Sequence, residues 1–102
     1  MAVYTILWEF AVDESSVEAF IAAYGASGDW ARLFGQARGY RGTTLLRDEA
    51  DPLRFVTIDR WESSEDFLRF QEEFGNAYAE LDVRFERLTQ SEKLIGRFSA
   101  EC

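Results

Sequence analysis

The chain predicts an α+β fold of ferredoxin-like type, strand, helix, strand, strand, helix, strand, forming a four-stranded antiparallel sheet with helices on one face. Three observations carry this. The stretch Arg54 to Phe74 (RFVTIDRWESSEDFLRFQEEF) reads as a buried strand running straight into a capped amphipathic helix. The segment from Val3 to Tyr24 has the same strand-then-helix order, which makes the two halves an internal repeat. Tyr40 to Arg47 and Gln90 to Ser99 supply the second and last strands.

In chain order, Val3 to Val12 (VYTILWEFAV) is apolar on both faces apart from Thr5 and Glu9, the mark of a central strand. Ser15-Ser16-Val17-Glu18 has the pattern of a capping box, with Ser15 accepting from the Glu18 N–H. Val17, Phe20, Ile21 and Tyr24 then recur at helical spacing until Gly25 and Gly28 interrupt them. The helix resumes near Asp29 with Trp30, Leu33 and Phe34 on its apolar face, and Gly39 is the expected C-cap. In the second strand Gly42 permits a bulge or a close approach, and the loop Asp48 to Leu53 holds the only proline, Pro52. Strand three, Arg54 to Trp61, places Phe55, Thr57, Asp59 and Trp61 on one face and Arg54, Val56, Ile58 and Arg60 on the other.

The second helix starts with a Ser63/Asp66 capping box, and Phe67, Phe70, Phe74, Tyr78, Leu81, Phe85 and Leu88 trace its stripe. Glu65 with Arg69 and Glu80 with Arg84 are spaced as i,i+4 ion pairs, Gly75-Asn76 is the expected kink, and the tail Ala100 to Cys102 is expected to fray. Strands one and three belong in the middle of the sheet. Straight alternation puts Val56 and Ile58, with Leu45 and Thr43, on the face away from the helices, where a second copy laid sheet against sheet covers them.

A composition of 47% apolar and 16% aromatic residues implies one globular domain, residues 1–102. Nine Phe and three Trp are more bulk than so short a chain hides, since it buries only about 60% of its unfolded surface. This again points to a homodimer. A net charge of −8 repels phosphate backbones and anionic lipid, so neither nucleic acid nor membrane is an expected partner. No apolar run approaches the roughly 20 residues of a membrane span, and Met1 to Val12 lacks the features of a signal peptide. The single cysteine, Cys102, excludes an intrachain disulfide and fits a reducing cytoplasm. Without His or paired Cys a transition-metal site is not expected, and Gly25-Ala26-Ser27-Gly28 lacks the strand and Lys of a phosphate loop.

Several stretches resemble the antibiotic biosynthesis monooxygenase-like family of the dimeric α/β-barrel superfamily: WEF in strand one, YG followed by GDWARLF, GYRGTTLL in strand two, and IDRWESSEDF at the central joint. The similarity covers nearly the whole chain and implies a dimeric α/β barrel. Trp61 stands where oxygenases and haem degraders of this family commonly have a pocket-lining Trp. The haem degraders also use a His in the following helix; here Gln71 falls near that place and the chain has no His, which excludes haem ligation by that route. An Asn often used in strand one is replaced by Trp8-Glu9.

Oxygenation without metal or flavin needs a base, donors for a developing anion and a dry aromatic slot. Asp59, on the same face as Trp61, is the candidate base, because burial beside indole raises a carboxyl toward neutrality. The Trp61 N–H and the hydroxyls of Tyr40 or Tyr78 are candidate donors, and Trp8, Trp30, Tyr40, Phe67 and Tyr78 are candidate walls for a flat polycyclic phenol. Structural roles compete with each of these. Phe67, Phe70 and Phe74 read as core, Trp61 as core or site, Asp59 as base or as partner of Arg41 or Arg47, and Glu9 as the alternative base. Two functions follow: a cofactor-independent monooxygenase, with no cofactor expected, or a non-catalytic dimeric barrel binding a hydrophobic metabolite.

Overall fold

The computed structural model describes residues 3–101. Its elements are β1 (Tyr4–Val12), α1 (Val17–Tyr24), α2 (Asp29–Phe34), β2 (Tyr40–Arg47), β3 (Arg54–Trp61), α3 (Ser64–Phe85) and β4 (Thr89–Ser99), with single 3-10 turns before α1 and after α3. The strands form one antiparallel sheet in the order β2-β3-β1-β4, so the two most apolar strands are central. This is the ferredoxin-like arrangement, and the three helices pack on one face of the sheet. No helix among the described residues is long and apolar enough to cross a membrane.

The core lies between sheet and helices. Ile6 and Phe10 from β1, Phe20 and Tyr24 from α1, Trp30 and Phe34 from α2, and Phe67 and Phe70 from α3 are all buried there. The alternation predicted for β3 holds residue by residue, with Phe55, Thr57, Asp59 and Trp61 buried and the residues between them half-buried. At the head of α3, Ser63 Oγ accepts from the Asp66 N–H at 3.2 Å and donates to its carboxylate at 3.0 Å, as the capping pattern predicts.

Local details depart from the sequence expectations. The Ser15/Glu18 box does not form: α1 is preceded by a 3-10 turn, and its N-cap is Ser16, without a side-chain bond. Gly35, not Gly39, ends α2. Gly39 instead adopts φ +88° where the chain turns past the start of α3, and a Cβ there would strike the Asp66 side chain. On α3, Arg69 pairs with Asp66 at 2.8 Å and Arg84 approaches Asp29, so the shorter i,i+3 and interhelical partners displace Glu65 and Glu80. The kink falls at Phe74 (φ −116°, ψ 18°), one residue before the expected glycine. Ala100 donates to the Val3 carbonyl at 3.0 Å, so the tail is tied down that far, while Cys102 lies outside the described residues.

The largest correction concerns β2. Tyr40 pairs with Trp61 and Gly42 with Arg60, which leaves Arg41 as an extra residue, and Gly42 takes φ +112° to absorb it. One extra residue exchanges the two faces of everything after it. Thr43 and Leu45 therefore join Tyr40 on the helix side, opposite Asp59 and Thr57, while Thr44 and Leu46 take the open face. That open face carries an apolar patch between the Arg54–Glu9 ion pair and the Arg60–Thr44 hydrogen bond: Leu7, Val56 and Ile58 are half-buried, and Leu46 and Phe98 are 47% and 49% exposed.

Candidate active site

Asp59 is a buried carboxylate in the middle of a central strand, 8% exposed. Its Oδ1 accepts from Thr43 Oγ1 at 2.7 Å, and Thr43 Oγ1 is in turn 2.5 Å from the Tyr40 hydroxyl. A threonine hydroxyl has one hydrogen to give. Because Thr43 spends it on Asp59, Tyr40 is the donor in the second bond, and the chain runs Tyr40 to Thr43 to Asp59. Neither arginine named as a structural partner is engaged: Arg47 donates to the Pro52 carbonyl and covers Phe55, and Arg41 is the bulged residue. Glu9, the alternative base, is committed to Arg54 at 2.7 Å on the open face.

Burial pushes the Asp59 carboxyl up to about 6, against the opposing pull of the Thr43 hydrogen bond and the Arg60 charge. Such a group is ionised at neutral pH yet basic enough to accept a proton, the balance a general base requires.

Asp59 forms part of the wall of a cleft between sheet and helices with a volume of about 50 Å³. From the sheet come Trp8, Phe10, Thr43 and Thr57; from the helices come Tyr24, Trp30, Phe34 and Tyr78. The outer rim carries Asp82 of α3 and Glu92 of β4, both exposed residues. Burial, with Asp82 adding to it, raises the Glu92 carboxyl. Burial also pushes the phenols of Tyr24 and Tyr78 up to about 12, in Tyr24 against the opposing pull of the Trp30 indole beside its hydroxyl, so both remain protonated.

Of the residues singled out in the sequence, Asp59, Trp8, Trp30 and Tyr78 meet at this cleft. Tyr40 reaches it only through Thr43. Trp61 and Phe67 do not line it. Trp61 is 0% exposed and enclosed by Phe34, Tyr40, Phe67 and Phe70, with ring centroids between 5.3 and 5.8 Å. Sequence reasoning missed Thr43, whose signal was Gly42: a bulge at that glycine is what turns the hydroxyl inward. It also missed Asp82 and Glu92, which lie off the apolar stripe and on an edge strand. Among the described residues no group of three or more His, Cys, Asp or Glu side chains could hold a metal ion.

Sheet order and one-sided helices define the chain as a ferredoxin-like α+β domain, with a buried carboxyl facing an aromatic cleft. The chain belongs to the antibiotic biosynthesis monooxygenase family, whose model matches residues 3–79. Solved structures share the fold over almost the whole chain. SnoaB, a cofactor-independent oxygenase from Streptomyces nogalater, superposes with TM-score 0.70 at 21% identity, covering 100% of this chain and 96% of that one. A SnoaB mutant gives 0.73 at 21% identity over 98% and 94% of the two chains. A putative antibiotic biosynthesis monooxygenase from Bordetella bronchiseptica gives 0.73 at 17% identity over the full length of both. At these identities the likeness is one of fold. No protein of curated function matches the chain.

Proposed function

We propose that the protein is a cofactor-independent monooxygenase acting on a polycyclic phenol or a related compound with an acidic, ring-conjugated C–H, and that it works in the cytoplasm as a homodimer. The observation that carries this is Asp59: a carboxyl raised to about 6, held by a two-hydroxyl chain, at an aromatic cleft. Family membership agrees with it.

For a substrate with a doubly benzylic CH₂, the steps are these. Asp59 takes one proton from the carbon, and the electron pair spreads into the ring system and its oxygen. The carbanion gives one electron to O₂, and the radical and superoxide join through a C–O bond to form a peroxide anion, which is protonated. The peroxide loses water as the remaining C–H proton leaves, converting CH₂ and O₂ to C=O and H₂O. The protein contributes the base, protonated phenols beside the developing anion, and aromatic walls that exclude water. Trp61 supports this from behind, by its edge contact with Tyr40 at 5.4 Å. The dimer rests on the apolar open face, where Leu46 and Phe98 are half exposed to solvent in the single chain.

One observation favours the second reading, a dimer that binds an apolar metabolite without turning it over. The cleft of about 50 Å³ is well below the roughly 300 Å³ of an ordinary ligand pocket. The first reading requires the cleft walls to separate to admit a tricyclic substrate. Oxygen uptake with 1,8-dihydroxyanthrone decides between them. The oxygenase reading expects uptake that falls by about 10²-fold or more in Asp59→Asn; binding without uptake by the unaltered protein supports the second.

A further inference from the structure

The cleft is walled by six aromatic rings and carries three carboxyls, Asp59 in the sheet and Asp82 and Glu92 at the rim, with no lysine or arginine among its lining residues. Asp59 is 8% exposed; its Oδ1 accepts from Thr43, and its Oδ2 has no hydrogen-bond partner among the described residues. At the rim, burial and the Asp82 charge raise the Glu92 carboxyl, and no cation draws it back. The two arginines whose charge reaches the cleft are held elsewhere: Arg60 donates to Thr44 on the open face at 2.9 Å, and Arg97 lies over the Phe67 ring at 5.2 Å. Ring faces and unpaired carboxylates both favour a positive charge and oppose a negative one. The cleft therefore holds the groups for a cation and lacks the cation itself.

We propose that the ligand brings this cation: the cleft selects a flat aromatic compound bearing a protonated amine, which Asp82 and Glu92 hold at the rim beside the rings of Tyr24 and Tyr78 while the ring system reaches Asp59. This rests on the reading of the cleft as the substrate site. Tyr24 and Tyr78 both lie within electrostatic reach of Asp82 and Glu92, so rings and carboxyls converge at one end of the cleft. The chemistry asks for the same group. When Asp59 takes the substrate's proton, the negative charge passes from the carboxylate to the ring system, still inside a cleft rimmed by two carboxylates. An ammonium on the same molecule offsets that charge where no lining side chain does. A ligand bearing a carboxylate or phosphate instead meets repulsion at the rim.

The test uses the folded full chain and three fluorescent probes that share one tricycle and differ in charge: 9-(aminomethyl)anthracene, 9-(hydroxymethyl)anthracene and 9-anthracenecarboxylate, titrated at neutral pH. The amine should bind about tenfold more tightly than the alcohol and the carboxylate more weakly than either, and the differences should shrink in about 1 M salt. Asp82→Asn combined with Glu92→Gln should bring amine and alcohol to about equal affinity. Both residues are exposed, so the core is untouched. Glu65→Gln combined with Glu72→Gln makes the same change in net charge at exposed positions of α3 that do not border the cleft, and it should keep the preference. Equal binding of amine and alcohol by the parent, a preference that survives the rim substitutions, a preference lost equally in the Glu65/Glu72 variant, or no binding of any probe overturns the proposal. Asp59→Asn separates this from the reading of Asp59 as the base. Oxygen uptake with 1,8-dihydroxyanthrone that persists in Asp59→Asn removes the base and leaves the amine preference standing, whereas equal binding of amine and alcohol removes the amine and leaves the base.

Discussion

Thr43 donates to Asp59 at 2.7 Å across the β2–β3 pairing, and it does so because Arg41 is one residue too many for the ladder. Without that bulge the hydroxyl would sit on the opposite face of the sheet from the carboxylate. The hydrogen bond stabilises the ionised carboxylate and opposes the burial that raises it.

Thr43→Val should therefore raise the Asp59 pKa further. The hydroxyl's stabilisation of the anion disappears while the burial stays. The acid limb of the pH–rate profile, expected near pH 6 from the Asp59 value, should move to higher pH. Oxygen uptake measured across the limb checks this, and an unmoved limb would show that Asp59 is not the group being titrated.

Asp59 should cost the protein stability in a defined pH window. Its folded pKa, about 6, lies above the ordinary 3.8. Below about pH 4 both folded and unfolded chains hold the proton and nothing is lost; between about pH 4 and 6 only the unfolded chain releases it, so stability falls, and above that the loss is complete at about 3 kcal/mol. Asp59→Asn lacks this dependence. Urea unfolding of the two proteins should show the variant gaining on the parent from about pH 4 to about pH 7 by that amount, with no gain if the carboxyl titrates normally.

Gly42→Ala should destabilise the fold by about 1–3 kcal/mol, through backbone strain alone. Nothing lies within 4 Å of a Cβ built there, so no clash contributes, but φ is +112°. If the strand escapes the strain by giving up its bulge, Thr43 leaves Asp59 as well. The variant should then show both lower stability and the shifted acid limb of Thr43→Val.

Ile58→Glu should break the dimer while leaving the folded chain intact. Ile58 is on the open face of a central strand, between Leu7 and Thr44, and its side chain makes no part of the helix-side core. A buried unpaired carboxylate in a sheet-to-sheet interface is strongly unfavourable. Light scattering at micromolar concentration should give twice the 11.8 kDa chain mass for the parent and the single mass for the variant, with unchanged circular dichroism. A parent that is already a monomer overturns the dimer.

Much of this was legible beforehand. The capping box at Ser63, the alternation of β3 and the stripe on α3 are local patterns, set by hydrogen-bond offsets and by periods of two and 3.6. Asp59 stood out because an acidic residue on the apolar face of a strand is rare. The Ser15 box failed because the pattern allows two adjacent serines to compete, and a 3-10 turn ahead of α1 put Ser16 at the boundary.

What the sequence determined by itself was the order of elements, the inward face of β3 and therefore the burial of Asp59. Which neighbours Asp59 meets was decided only in three dimensions. Thr43 reaches it through a bulge that changes the parity of a strand, and parity depends on the register against β3, a relation between residues sixteen apart in the chain. Trp61 and Trp30 carry the same side chain, yet one is walled off by rings and the other borders the cleft, because helix packing sets which indole keeps open space beside it. Periodicity fixes the direction in which a side chain leaves its own element; whether it meets a hydroxyl, a ring or a void depends on the elements packed against it.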